Sequence, residues 1–589
     1  MEQSRWNSGR VGALIAGLSL YLCFWGLWET APGLFIRFLP PFTNSNEGEL
    51  SFWLGAAILL LPAGGLIGYG LSPFIWGAVQ RAWRALSQMD SRQSRLGLVV
   101  LFILAVALAR VGRALVLLDF PITDDEYAAR FGGQVLAMGK VAVTAFDPLA
   151  AFPTRFLFLH DGKLSGFDWP GIQVAWALAE WTRSGTWLFA LVAAFPVTFL
   201  AASAGRRLGR PWGAVAAAVA LLSPMICALS FTSHAHLLSR GLLAFALWCY
   251  VTAEARSKPG WWAATGFGVG AAFFCRPFEI ACLTSPLILA LLVRALRRES
   301  GAARAWWAFA AGAAGPLIAF ALFNLALTGN PFFPARFAPN PLLREPWLGA
   351  LAGFSNPALL WHRFGSNTSY NLLMLAIWFG GPLGAALAAL GIPFDRFTRL
   401  LGWGLLCNLG LGLLHDNSGI HLVGPIHYSE AAVPLTLLAV HGIVCLRRWC
   451  EQKDIGLRMV SSLLCGAAVL SLGTFIFWQS LALRRQAFVQ GYIYGFLDSA
   501  NLNNAIVLAP QFGMLWRSSS MGFINTGTFV FDWRRPAPDW SDNLLILHDV
   551  RGVLGPLRQR FADRSFFRLH PTQEAPYFQL APISASEMD

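Results

Sequence analysis

Asp124, Asp125 and Glu126 stand side by side just after a long apolar run, in Leu118-Asp119-Phe120-Pro121-Ile122-Thr123-Asp124-Asp125-Glu126-Tyr127. Ionisable groups near membrane depth are costly and usually face a polar cavity. Three adjacent acids repel one another, so a neighbouring carboxylate or a metal would tune their proton affinity. One of them can act as a general base, taking the proton of an acceptor hydroxyl or amine within hydrogen-bond reach. The plainer alternative is a solvated helix start, since acids favour the first turn of a helix.

Other residues offer complementary chemistry. His234 and His236, in Ser233-His234-Ala235-His236, fall at a turn between two apolar runs, a position that also suits purely structural histidines. Arg240 follows one helical turn later, and Arg276 sits beside Pro277 at another turn. A guanidinium fork matches a phosphate, so both arginines are candidates for clamping a lipid phosphate. Snorkelling to the membrane interface is the alternative. The stretch 415–430 is rich in histidine and acid, with His415, Asp416, His421, His427, Tyr428 and Glu430. It offers metal ligands or phosphate contacts, although its spacing fits no strict ligand pattern. No phosphate-cradling glycine loop, nucleophile elbow or HExxH sequence occurs.

The elements that position these residues are membrane helices. The 589 residues are 56% hydrophobic and only 13% charged, against roughly 25% charged for a soluble domain. The fold class is therefore an α-helical polytopic membrane protein. The net charge of +13 is spread through short loops, which speaks for membrane topology and against nucleic-acid binding. The nine cysteines lie in or beside apolar runs without a CxxC pair, so neither a disulfide framework nor a zinc site is expected. Residues 11–28 read as a retained first helix rather than a removed signal peptide.

A span needs roughly 20 apolar residues. Candidates are 11–29, 52–78, 97–118, 186–204, 213–231, 238–253, 262–275, 279–293, 305–327, 371–391, 400–414, 431–446 and 458–482, about 13 transmembrane helices in all. With the N-terminus cytoplasmic, the Arg-rich loops 79–96, 205–212, 294–304 and 447–457 lie inside. The acidic cluster, loops 328–370 and 415–430 and everything after 482 then lie outside. Loop 119–185 is too long for a simple connector. Within it, 127–139 and 172–181 have helical spacing and suit interfacial helices. The chain divides into a multi-spanning domain, 1–482, and a small extracytoplasmic α/β domain, 483–589, where 504–510 and 543–548 read as buried strands.

Together these motifs resemble the GT-C superfamily of membrane glycosyltransferases, and among them bacterial relatives of the protein O-mannosyltransferases and the lipid A aminoarabinose transferases. Asp125-Glu126 followed by Phe131 and Gly139 is similar to the acidic motif of their first outer loop. Asp161-Gly162-Lys163-Leu164-Ser165-Gly166-Phe167-Asp168-Trp169-Pro170-Gly171 resembles the later part of that loop. Leu222-Ser223-Pro224, Thr232-Ser233-His234, 266–277 and Leu327-Thr328-Gly329-Asn330-Pro331 follow in the familial order. Gly424-Pro425-Ile426-His427-Tyr428-Ser429-Glu430 is similar to a Gly-Pro-Arg-Tyr-x-x-Glu element.

The resemblance implies a polyprenyl-phosphate sugar donor, an envelope acceptor (lipid, glycan or protein) and transfer on the outer face of the inner membrane. It implies Asp125 as base, with Asp124 and Glu126 as supports or metal contacts. A divalent metal, Mg or Mn, is the one cofactor it allows, with Asp124, Asp125 and His415 as ligands. Donor phosphate contacts would come from Arg276, Arg240, His427 and Lys163, with His234, His236, Asp168, His421, Tyr428 and Glu430 as further site residues. Two departures stand out. The arginine expected at Ile426 is missing, and no lysine stands next to Asp168, the nearest being Lys163. The competing reading is a transporter or flippase with the acids as an ion site, but such sites usually lie near the bilayer midplane within repeated halves. A third reading is an assembly scaffold whose C-terminal domain binds a partner.

Overall fold

The computed structural model describes residues 8–31, 47–154, 156–337, 356–365, 369–412, 420–421, 423–510, 515–518, 522–525, 534–572, 574 and 577–584. Over its described residues, every apolar stretch expected to span is mainly helical. Among the described residues ten helices are long and apolar enough to cross a membrane. Three expected spans are shorter: Arg210–Leu222 with 13 residues, Pro259–Cys275 with 17 and Arg396–Leu411 with 16. The expected thirteen thus resolve into ten long helices and three short ones. The cause is local. Ser223-Pro224 interrupts one run, and Arg276-Pro277 divides another. Proline lacks the N–H that would continue the ladder.

Helix starts follow the sequence. The Asp90 side chain accepts from the backbone N–H groups of Arg92 and Gln93, both at 2.7 Å, and Gln93 returns a bond to Asp90 N at 2.9 Å. This capping box launches Ser91–Leu115. Ala235–Arg256 is the central helix: 83% of its apolar window is buried inside the protein, against 11% for the peripheral Ser8–Thr30. Helices Pro259–Cys275 and Ala302–Thr328 cross in near contact, because a Cβ on Gly266 would lie 1.9 Å from the carbonyl oxygen of Phe309. Small residues are how membrane helices reach such distances.

The first loop is a folded layer. It runs through the helix Asp124–Ala137, a three-stranded antiparallel sheet (Val143–Thr144, Lys163–Gly166 and Leu157–His160 in that spatial order) and the helix Pro170–Thr182. Both helices were expected there. They do not lie apart on a surface but pack on each other: a Cβ at Gly133 would meet Trp176 Cβ at 2.2 Å. Asp161-Gly162 joins two strands in register His160↔Lys163, and both residues have positive φ, 48° and 67°. That is the type I′ hairpin geometry that Asp-Gly favours.

Past the bundle, the helix Leu457–Ser499 continues unbroken for 43 residues, so the expected boundary at 482/483 falls inside it. The strands expected at 504–510 and 543–548 are Ala505–Ala509 and Leu544–His548. They pair in parallel, within a four-stranded sheet ordered Phe578–Pro582, Ser565–Pro571, Ala505–Ala509, Leu544–His548. Side chains alternate across a strand. Ile506, Leu508, Leu545 and Leu547 therefore enter one core with Phe131, Phe146 and Phe152 of the first loop. Val507, Ala509 and Ile546 enter another with Ile493, Tyr494 and Leu497 of the long helix. The sheet is thus clamped between the first loop and the end of that helix. Phe146 is central to the first contact, 4.2 Å between ring centroids from Trp540 and under the Arg560 guanidinium. Phe146→Ala removes this aromatic anchor and should cost about 3 kcal/mol or more. A lower melting temperature in detergent and faster protease cleavage after residue 500 are the expected readouts.

Candidate active site

The chain leaves the helix Ser91–Leu115 through Leu118 and Asp119, both with positive φ, and Arg110 holds the Asp119 carboxylate there. This turn delivers Thr123 in extended conformation as the residue before Asp124–Ala137. Glu126 is then fully buried. Its Oε1 accepts from Ile122 N at 3.2 Å, and its Oε2 accepts from both the N–H (2.7 Å) and the hydroxyl of Ser233. Arg113 and His234 each approach it to 3.9 Å. Arg113 also donates to Phe231 O at 3.2 Å, and His234 Nε2 lies 3.2 Å from Thr123 Oγ1. Glu126 is therefore the peg that fixes the first-loop helix to the turn at 231–234.

Asp125 sits one residue earlier, turned about 100° around the helix axis. It is half-buried and makes no hydrogen bond or ion pair among the described residues. Its electrostatic neighbour is Asp168. Burial pushes the Asp168 carboxyl above the usual carboxylate range; Arg336 opposes the shift and Asp125 adds to it. Asp168 Oδ1 accepts from Trp169 N at 2.8 Å and from Arg336 Nη1 at 2.9 Å. The Arg336 guanidinium lies over the rings of Phe167 and Trp169, at 5.1 and 5.7 Å. Buried Gln173 holds the backbone of this corner, donating to the carbonyls of Gly166 (3.1 Å) and Asp168 (2.6 Å).

A second buried network joins the central helix to residues 426–431. His236 Nδ1 is 3.1 Å from Glu430 Oε1, and the Ser239 hydroxyl donates to the same oxygen. Arg276 pairs with Glu279 and lies 3.2 Å from His427 Nδ1, within electrostatic reach of Glu430 and Asp168. The Arg276 Nε and Glu279 Oε2 are buried without a hydrogen-bond partner among the described residues. His427 is half-buried, while Tyr428 and Glu430 are buried.

The structure redirects several expectations. Arg240 is wholly buried and donates to the carbonyls of Met225 (3.0 Å) and Ile226 (3.3 Å), so its fork closes a backbone turn and is not aimed at a lipid phosphate. Lys163 is exposed on its hairpin and reaches only Ala326 O at 3.4 Å. His234 and Glu126 serve each other rather than an open space. His415 and the side chains of Asp124 and His421 lie outside what is described. The metal set of Asp124, Asp125 and His415 rests on them in part, and among the described residues no cluster of three or more His, Cys, Asp and Glu could hold a metal. Arg113, Ser233, Gln173, Glu279 and Arg336 went unread in the sequence. Arg336 carried a signal: like Arg276, it is a cation in a segment otherwise poor in them.

The arrangement brings together Asp125, without a described partner, the half-buried Asp168, and buried Arg276 with half-buried His427. Residues 173–323 match the family model for dolichyl-phosphate-mannose-protein mannosyltransferase. The match starts in the first-loop helix Pro170–Thr182 and includes the central helix with His236, the preceding His234, and Arg276 at the turn before Pro277–Leu296. It bears out the resemblance to the GT-C membrane glycosyltransferases over that stretch. Among solved structures, ArnT from Cupriavidus metallidurans bound to undecaprenyl phosphate is 14% identical, covering 83% of this chain and 98% of its own, with a TM-score of 0.49. The apo form of that protein is 13% identical over 81% and 93%, with a TM-score of 0.46. The Archaeoglobus fulgidus oligosaccharyltransferase tethered to an acceptor peptide is 14% identical over 65% of this chain and 55% of its own, with a TM-score of 0.41. No curated protein sequence matches.

Removing the peg tests its role. Glu126→Ala leaves Arg113 with Asp119, at 3.9 Å, as its one remaining carboxylate and leaves the N–H groups of Ile122 and Ser233 without their acceptor, about 1–3 kcal/mol for each buried group left unpaired. The variant should give a poor yield of monodisperse protein and a clearly lower melting temperature, while Glu126→Gln, which can still bond Ser233, should fall between it and the wild type.

Proposed function

We propose that this protein transfers a sugar from a polyprenyl-phosphate donor to an envelope acceptor on the outer face of the inner membrane, with the N-terminus cytoplasmic. The match to a dolichyl-phosphate-mannose-dependent family supports the donor class. The observation that carries the reading is Asp125: half-buried, without a described partner, on a helix fixed by its neighbour Glu126.

Asp125 takes the proton of the acceptor hydroxyl or amine as the acceptor atom bonds to the anomeric carbon. The bond from that carbon to the phosphate oxygen breaks on the opposite side, so the configuration inverts. The departing lipid phosphate needs no proton if its charge is met by donors, and Arg276 with His427 supplies them, including the unpartnered Nε of Arg276. Holding base and acceptor in place on anchored elements does much of the work.

Charge balance adds a requirement. Four carboxylates, Asp125, Asp168, Glu279 and Glu430, surround three guanidiniums, Arg240, Arg276 and Arg336. The set is net negative before an anionic phosphate arrives. Asp168, already pushed upward by burial, can take a proton. If a divalent Mg or Mn ion binds, Asp125 and Asp168 would be the described residues to hold it, since magnesium is commonly held by one or two carboxylates with water and substrate phosphate. It would supply further charge neutralisation at the phosphate.

Asp125→Asn should abolish transfer, measured as loss of at least a thousandfold in rate with purified protein in nanodiscs, and leave the melting temperature within a degree or two of wild type, because an accessible acid contributes little to folding. In a deletion strain, mass spectrometry of envelope glycans and polyprenyl-phosphate sugars should show the donor accumulating and one sugar modification missing, restored by wild type alone. Normal turnover in Asp125→Asn would overturn the base assignment, and unchanged glycans and donor pool would favour a transporter. Chelation by EDTA should cut the rate at least tenfold and Mg or Mn restore it; an EDTA-insensitive rate leaves charge balance to Asp168 protonation.

A further inference from the structure

The first-loop helix Asp124–Ala137 has a second functional face. Tyr127 and Gln134 look away from the Asp168 corner into a cleft of about 450 Å³, whose far wall is the end of the long helix and the edge of the C-terminal sheet. The volume falls in the range of small-ligand sites. Its lining is polar and of mixed sign. Carboxamides come from Gln134, Asn501, Asn503 and Asn543, and charge from Asp498 and Arg534, which pair with each other at 2.5 Å. Asn543 donates to Asn503 Oδ1 at 2.9 Å and accepts from Asn504 N at 2.7 Å, so these amides are set in fixed orientations. The Gln134 side chain makes no hydrogen bond among the described residues and is half-buried in the wall.

Such a lining is wrong for an acyl chain, which would need apolar walls. It is also poorly matched to a polyanion: its three arginines, Arg130, Arg534 and Arg535, meet Asp498 and Asp542 in the lining, and Arg130 is already paired with Glu180 and Arg534 with Asp498. Alternating fixed donors and acceptors, with carboxamides able to do both, match neighbouring hydroxyls of a sugar ring. We propose that this cleft binds a carbohydrate of one to two rings, the glycan portion of the acceptor, at a distance from the reacting hydroxyl. The inference rests on the transferase reading. Gln134 lies nine residues from Asp125, about 13 Å in rise and about half a turn around the helix axis, so the acceptor runs from the cleft past Tyr127 and around the start of the helix to reach the base, and binding remote from the reacting atom can be used to orient it.

The test separates cleft from chemistry. Purified full-length protein in nanodiscs is screened by saturation-transfer NMR against a panel of neutral and acidic mono- to trisaccharides. Wild type and Asp125→Asn should bind the same panel members with equal affinity. Gln134→Trp, which fills the cleft, should weaken that binding at least tenfold and raise the acceptor KM by a similar factor, and Gln134→Leu should give an intermediate loss. Melting temperatures of all variants identify any that fail to fold. If no saccharide binds wild type, or if Gln134→Trp binds as well as wild type while folding normally, the proposal is overturned. If Asp125→Asn turns over normally yet the cleft results hold, the base assignment fails and the carbohydrate site stands.

Discussion

A single buried carboxylate sets the geometry at the end of the bundle that carries the first loop. Glu126 has no access to water, and an isolated charge there would be prohibitively costly. Its cost is offset by the backbone and hydroxyl of Ser233, the N–H of Ile122, and the nearby Arg113. Those partners come from two places far apart in sequence. The carboxylate is satisfied only when the first loop is docked on the turn before the central helix, so the docking is close to all-or-none. The neighbouring Asp125 inherits a fixed position without spending its own hydrogen-bonding capacity on the fold. Buried networks of this kind rigidify when complete.

The same logic of shared burial joins the C-terminal sheet to the membrane bundle. The first loop shares its core with one face of the C-terminal sheet. Phe131, Phe146 and Phe152 need Ile506, Leu508 and Leu547 on the other side, and the opposite face of the sheet needs the long helix. The first and last parts of the outer layer therefore form one unit around two elements, the helix bearing Asp125 and the helix Leu457–Ser499.

Much of this was legible in the sequence, and the gaps have physical causes. The run Ala505-Ile506-Val507-Leu508-Ala509 is apolar on both alternating faces, which is how a doubly covered parallel strand reads. Helical spacing gave the two first-loop helices, and apolar length placed every membrane helix. Of the thirteen expected spans ten are long helices among the described residues, and an apolar run such as 213–231 does not reveal that a Ser-Pro step will end its helix at Leu222. The expected boundary at 482/483 falls inside a helix because Leu457–Ser499 passes from an apolar to a more polar sequence without a break in its backbone. Asp161-Gly162 was a readable hairpin signal that went unused. The roles of Arg240 and Glu126 could not be read at all: whether a guanidinium meets a phosphate or a carbonyl, and whether a carboxylate is a base or a peg, depends on partners more than a hundred residues away, as with Glu126 and Ser233, or on how a turn closes, as with Arg240 and Met225.

The unbroken helix Leu457–Ser499 carries a further meaning. At 43 residues it is about 65 Å long, roughly twice the hydrocarbon thickness of a bilayer. One end is seated among the membrane helices and the other is locked under the sheet. A helix of that length cannot lie in hydrocarbon from end to end, so part of it stands clear of the bilayer as a post, and the packing of Leu472, Phe475 and Leu483 along one part and of Ile493, Tyr494 and Leu497 along the other fixes the distance between bundle and sheet.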